Sequence, residues 1–164
     1  MIGEVGPEAI DGIMEVMEQA FDGGFGEAWN RGQCLGILGL PGVWMTLERD
    51  DDGARGFALA RVTLDEAELL LIAVKPAFRG QGVGARLLDE VIRSAARRGA
   101  SRIHLEVRDG NDALRLYSSS GFQQVGRRRG YYTGSHGQTY DALTLMRSTN
   151  DPGGPKRDNG QGCV

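Results

Sequence analysis

The chain is poor in residues that build cross-links. Cysteine occurs only at Cys34 and Cys163, far apart and without metal-ligand spacing. That excludes a disulfide framework and a cysteine-based zinc site, and it suits a reducing cytoplasm. Long hydrophobic runs are also missing. No apolar stretch reaches the roughly 18 residues that span a bilayer, and mean hydropathy is −0.31. The opening residues, MIGEVGPEAIDG, carry acid where a secretory signal would carry a basic segment ahead of an apolar one, so no such signal is expected. No internal repeat is present.

What remains is ordinary globular composition: 164 residues, 40% hydrophobic and 25% charged. That is enough for one core. We expect a single domain over residues 1–148 and a disordered tail over 149–164, where the sequence turns polar and rich in Gly and Pro. Net charge is −3, unevenly spread. Lys75 to Arg129 holds 12 Lys and Arg against 5 Asp and Glu, a net +7, and the remainder nets −10. Such a segment is either a solvated surface or one that meets a polyanion. A pI near 5.4 argues against general nucleic-acid binding.

Apolar spacing predicts an amphipathic helix over Pro7 to Phe21, with Ile10, Ile13, Met14, Met17 and Phe21 on one face. DGGFG breaks it, and a weaker helix follows over Glu27 to Leu38. Two strands flank an Asp52-Gly53 turn. After a turn at TLDE, Ala67 to Val74 is apolar but for Glu68, as a strand buried on both faces would be. Helical spacing resumes at Val83 and stops at Gly99. Arg102 to Arg108 alternates, with Ile103, Leu105 and Val107 on one face and His104, Glu106 and Arg108 on the other. Asn111 or Asp112 caps a short helix ending at Gly121, and two strands follow, near Phe122 to Arg128 and Thr139 to Met146. The fold class is α/β, or α+β with a mixed sheet.

RGQGVGARLL, Arg79 to Leu88, has the composition of a phosphate loop. Ala85 stands where a nucleoside-triphosphate loop needs lysine, which excludes that site in its usual form. A dinucleotide site would use an acid about 20 residues on, as Glu106 is. Against it, Leu87 stands where a third spaced glycine belongs, and KPAFR separates loop from strand. The stretch also matches R/Q-x-x-G-x-G/A. With IAVKPAFRGQGVG, LEVRDGN, LYSSSGF and RRGYY in order, it resembles the GNAT acetyltransferase superfamily, and within it the bacterial ribosomal-protein-alanine N-acetyltransferases.

The resemblance implies a GNAT fold: a central, mostly antiparallel sheet with a strand pair splayed at the acyl-CoA site, and flanking helices. It implies acetyl transfer from acetyl-CoA, without a metal, to the N-terminal α-amine of a protein, an alanine on a ribosomal protein. It implies cytoplasmic action, with no nucleic-acid or membrane partner. By the same resemblance Ile72, Ala73 and Val74 pair with pantetheine, while Arg79, Gly80, Gln81, Gly82, Val83, Gly84 and Ala85 hold the pyrophosphate. Asn111 binds the cofactor or merely caps its helix. Glu106 is the general base, or else a salt-bridge residue beside Arg108. Tyr117 is the acid that returns a proton to the thiolate, or a core tyrosine. Tyr131 and Tyr132, in the loop between the last two strands, clamp the acceptor peptide, and the connection containing Trp29 forms the opposite wall. The alternatives are a GNAT enzyme acting on a small amine or lysine, a dinucleotide-binding module, and a non-catalytic acyl-CoA binder.

Overall fold

A computed structural model describes residues 1–21 and 28–150. The expected helix break at 22–26, the expected helix start at Glu27, Cys163 and nearly all of the expected tail lie outside the described residues. Seven strands form one sheet: β1 (Ile2–Val5), β2 (Val43–Asp50), β3 (Gly53–Thr63), β4 (Glu66–Val74), β5 (Arg102–Arg108), β6 (Gln123–Thr133) and β7 (Thr139–Ser148). Their order is β1-β2-β3-β4-β5-β7-β6. Only the β4–β5 pair is parallel. The helices are α1 (Ile10–Ala20), α2 (Arg31–Leu38), α3 (Val83–Arg97) and α4 (Leu114–Ser119). No described helix is long and apolar enough to cross a membrane.

Two cores lie on the two faces of the sheet. Ile13, Val16 and Met17 of α1 pack with Met45, Leu47, Phe57 and Leu59. On the other face Leu87, Leu88, Val91 and Ala95 of α3 pack with Ile103, Leu105 and Val107. Full burial of each large aliphatic side chain contributes about 1.5–3 kcal/mol, so α3 is bound tightly to the sheet behind the glycine loop. The β5 alternation is as expected: its apolar face enters this core.

Five elements differ from the expectation. The strand β1 was not foreseen, and helix α1 begins at Ile10, after a 3-10 turn over Pro7–Ala9. Helix α2 begins at Arg31, where Asn30 and Gln33 form a reciprocal capping box. Strand β4 is not sealed on both faces, since Leu70, Leu71, Ile72 and Val74 are only partly buried. Strand β6 runs on to Thr133, so Tyr131 and Tyr132 sit in a strand and not in a loop.

The basic segment is largely neutralised from within. Lys75 pairs with Glu15, Arg86 with Glu48, Arg98 with Glu4, Arg102 with Glu66, and Arg93 and Arg97 with Glu90. Arg127 is shared by Asp109 and Asp141. The charge asymmetry along the chain therefore becomes pairing across the fold.

Those pairs set an acid limit. The Arg98 hydrogen bond holds the Glu4 carboxyl below its ordinary 4.5, and the Arg55 hydrogen bond holds Asp50 below 3.8. A depressed folded pKa adds stability that is complete above the unfolded value and is lost as pH falls through the folded one. The melting temperature is expected to be flat from neutral pH to about 5 and to fall below about 4, less steeply in Glu4→Gln. A decline between pH 7 and 5 would contradict this assignment.

Candidate active site

Strands β4 and β5 pair only through Glu66, Ala67 and Glu68 against Arg102, Ile103 and His104. Beyond Glu68 they separate. Leu70 is the extra residue of a bulge, since Leu71 lies opposite Leu59 and Leu69 opposite Ala60. A bulge bends its strand and often borders an active site. From Leu69 to Val74, β4 keeps its ladder to β3, while its other edge borders a cleft of about 730 Å³. Ile72, Ala73 and Val74 all line that cleft. An extended, polar arm with its own amides can complete such an edge.

The glycine loop borders the same cleft. Gly80 and Gly82 have φ of +75° and +81°, the left-handed region that glycine enters without steric cost. Gly84 is needed for a different reason: a Cβ there would lie 3.1 Å from Cδ2 of Leu116 on α4. Arg79, Gly80, Gly82, Val83, Gly84 and Ala85 border the cleft. Gln81 does not; its side-chain amide donates to the Ala77 carbonyl, 3.2 Å away.

The arginines of the loop are braces. Arg79 donates to the carbonyls of Val74 (3.3 Å) and Ala20 (2.7 Å). Arg86 holds Glu48 through two bonds, of 3.1 and 2.7 Å, and donates a third to the Gln81 carbonyl at 3.1 Å. Glu48 is only 6% exposed, and its hydrogen bond raises the Arg86 pKa. Both guanidiniums are thus engaged within the protein, and the start of α3 is the end of a helix that attracts anions. The Arg86–Glu48 brace was not read from the sequence. Its signal was there: Glu48 follows Trp44 and Thr46 at period two, which places an acid on a buried face.

Glu106, Tyr117 and Asn111 line the same cleft. Glu106 keeps 32% of its side-chain surface. Arg128 of β6 pairs with it at 3.4 Å. Tyr117, 6% exposed, lines the cleft from α4 and meets Phe122 edge to face at 5.9 Å between centroids. Asn111 lines it too, and its side chain accepts the Ala113 N–H at 2.8 Å; it thus turns the chain into α4 without occupying the N-cap position. Phe21, Trp29 and Tyr132 add aromatic walls. Tyr131 is not among the lining residues. It is 53% exposed, meets Tyr132 at 5.1 Å and lies under the Arg128 guanidinium. Among the described residues no cluster of His, Cys, Asp or Glu could hold a metal ion.

A mixed sheet splayed beside a glycine loop, with a carboxylate and a phenol lining the cleft, fits the class of acyl-CoA-dependent N-acyltransferases. The family model described as Acetyltransferase (GNAT) family matches residues 11–122, and the chain belongs to that family. GNAT acetyltransferases use acetyl-CoA as cosubstrate. Among curated relatives, a [ribosomal protein bS18]-alanine N-acetyltransferase of Haemophilus ducreyi is 36% identical over 119 residues, covering 71% of this chain and 81% of the relative. The N-alpha-acetyltransferase RimI of Mycobacterium tuberculosis is 47% identical over 95 residues, 57% of this chain and 56% of its own length. Among solved structures, the ribosomal-protein-S18-alanine N-acetyltransferase of Escherichia coli matches with a TM-score of 0.82 at 28% identity, over 93% of this chain and 96% of that one.

Proposed function

We propose that residues 1–148 form one acetyltransferase domain that acetylates the N-terminal α-amine of a protein, an N-terminal alanine on a ribosomal protein. The observation that carries this is the splay of β4 from β5, which leaves a cleft lined by the glycine loop, Glu106 and Tyr117. The names of the relatives support the choice of acceptor. The reading puts the reaction in the cytoplasm.

Acetyl-CoA would supply the activated acetyl group as a thioester. The β4 edge at Ile72, Ala73 and Val74 would hold its pantetheine, and the loop from Gly80 to Ala85 its pyrophosphate. Asn111, at the cleft wall, would help seat the cofactor while it shapes the start of α4. An α-amine arrives largely as ammonium and must lose a proton before its nitrogen can attack. The Glu106 carboxylate takes that proton, directly or through one water. The Tyr117 Oη gives a proton to the departing sulfur. Tyr132, backed by Tyr131, forms an aromatic wall with a polar tip, which suits a short extended peptide. Trp29 and Phe21 face it as the opposite wall.

The test is a panel of short peptides with varied first residues, incubated with acetyl-CoA and read by mass. Peptides beginning with Ala are expected to gain one acetyl group at the α-amine. If Ala, Ser and Gly peptides stay unmodified while spermidine or free lysine is acetylated, the enzyme is a small-amine acetyltransferase instead.

A further inference from the structure

Strand β6 changes register beside the cleft. Arg128 lies opposite Ala142, and the next pair is Tyr132 opposite Tyr140. Residues 129, 130 and 131 therefore stand against Asp141 alone. In an unbroken antiparallel ladder Gly130 would lie opposite Tyr140, and Tyr132 would lie opposite Gln138. The offset is two residues, or about 7 Å at the rise of a strand. The bulge is thus what brings a tyrosine, in place of a glycine, level with Tyr140, and Tyr132 is the residue that lines the cleft.

The side chain that fills the bulge is Asp141. Its Oδ1 accepts the Gly130 N–H at 3.0 Å, and its Oδ2 accepts from Arg127 Nη1 at 2.6 Å. Arg127 Nη1 also reaches Asp109 Oδ2 at 3.0 Å, and the Asp109 N–H donates to the Asp141 carbonyl at 2.8 Å. Asp109 directly follows β5, which carries Glu106. Gly130 has φ of +62°, so the turn inside the bulge is one glycine tolerates. The Gly130 N–H, and then Arg127, hold the Asp141 carboxyl below its ordinary range, as befits an anion used in structure. The two Asp109 contacts link the bulge to the end of the strand that bears the carboxylate of the cleft.

We propose that Asp141 is a positioning residue for the acceptor. Its carboxylate sets the β6 register that presents Tyr132 to the cleft, and Arg127 and Asp109 tie that register to β5. The proposal rests on the reading of Tyr132 as an acceptor wall.

The experiment is a double-mutant cycle of Asp141→Ala with Tyr132→Ala, using acetyl-CoA and an N-terminal Ala peptide, together with hydrogen exchange at the Gly130 amide. Asp141→Ala is expected to raise the peptide KM by about tenfold, since small misplacements of positioning groups are costly. The KM for acetyl-CoA should stay within about twofold, and adding Asp141→Ala to Tyr132→Ala should cost little more, the non-additivity of residues acting through one another. The Gly130 amide should exchange faster in Asp141→Ala, whatever the acceptor. Asp141→Asn keeps an oxygen for Gly130 and should restore most of the peptide KM. Additive effects in the cycle, an equal rise in both KM values, or unchanged Gly130 exchange would each overturn the proposal. A wild-type enzyme that leaves the peptide unmodified would instead refute the acceptor reading, with the exchange result still deciding the role of Asp141.

Discussion

Glu106→Gln is expected to lower kcat by about 10²- to 10⁴-fold, the range of a lost general base. The amide keeps the shape of the side chain and cannot accept a proton at neutral pH, so the KM for acetyl-CoA should barely move. The competing role is structural, because Glu106 pairs with Arg128 at 3.4 Å. Arg128 is 60% exposed, and an exposed pair is worth about 1 kcal/mol or less. The two roles separate cleanly. If the pair were the point, Arg128→Gln would be as damaging as Glu106→Gln, and both would be mild. If Glu106 takes the proton, Arg128→Gln keeps most of its turnover. Steady-state rates for both variants across pH 6 to 9 (a window chosen to cover the roughly neutral working range of such bases) settle the matter. A Glu106→Gln enzyme within about threefold of wild type would sink the assignment, given the size of a general-base contribution.

Gly82→Val should be the most harmful single change on the cofactor side. Gly82 stands immediately before α3 with φ of +81°, where an L-residue costs about 1–2 kcal/mol and a β-branched one more. A Cβ there would also lie 3.0 Å from Arg86 Nη1, in the guanidinium that holds Glu48 and the Gln81 carbonyl. Two costs follow from one side chain. The melting temperature should drop by about 4–8 °C, at roughly 2–4 °C per kcal/mol for a chain of this size. The loop N–H groups would lose their common direction, so the KM for acetyl-CoA should rise by at least about tenfold. Thermal shift with and without CoA gives an independent reading, because a ligand that binds only the folded state raises the melting temperature in proportion to its affinity. A variant that keeps both the wild-type KM and the full CoA shift would show that the loop does not act through its backbone.

Local signals and long-range ones divide what was legible in the sequence. Helix α3 and strand β5 were read from spacing alone, because each has one face in the core: Leu87, Leu88 and Val91 at helical period, Ile103, Leu105 and Val107 at period two. The glycine loop was legible because left-handed backbone leaves a residue-type signature. Strand β1 was not, since IGEV is four residues long with a central glycine and owes its conformation to β2. The far half of β6 was missed for a related reason. RRRGYY lacks alternation, and what makes it a strand is Asp141, eleven residues past Gly130. The splayed strand pair at the cleft came from the family resemblance and from no local pattern. Glu106 and Tyr117 could be named as types at plausible positions, but the separation of β4 from β5 belongs to the whole sheet.

That separation has a further consequence. The sheet is joined across the cleft only at Glu66, Ala67 and Glu68, and the groups on either side of the opening belong to different halves. On the proposed function, pantetheine and pyrophosphate would be held by β4 and the loop before α3. The acceptor wall at Tyr132 would belong to β6, an edge strand paired with β7. Substitutions in β6 away from Arg127 and Arg128, which tie it to the β5 side, can therefore change the amine a lineage modifies while it keeps the donor it uses. The narrow join makes the fold evolvable in one direction and conservative in the other.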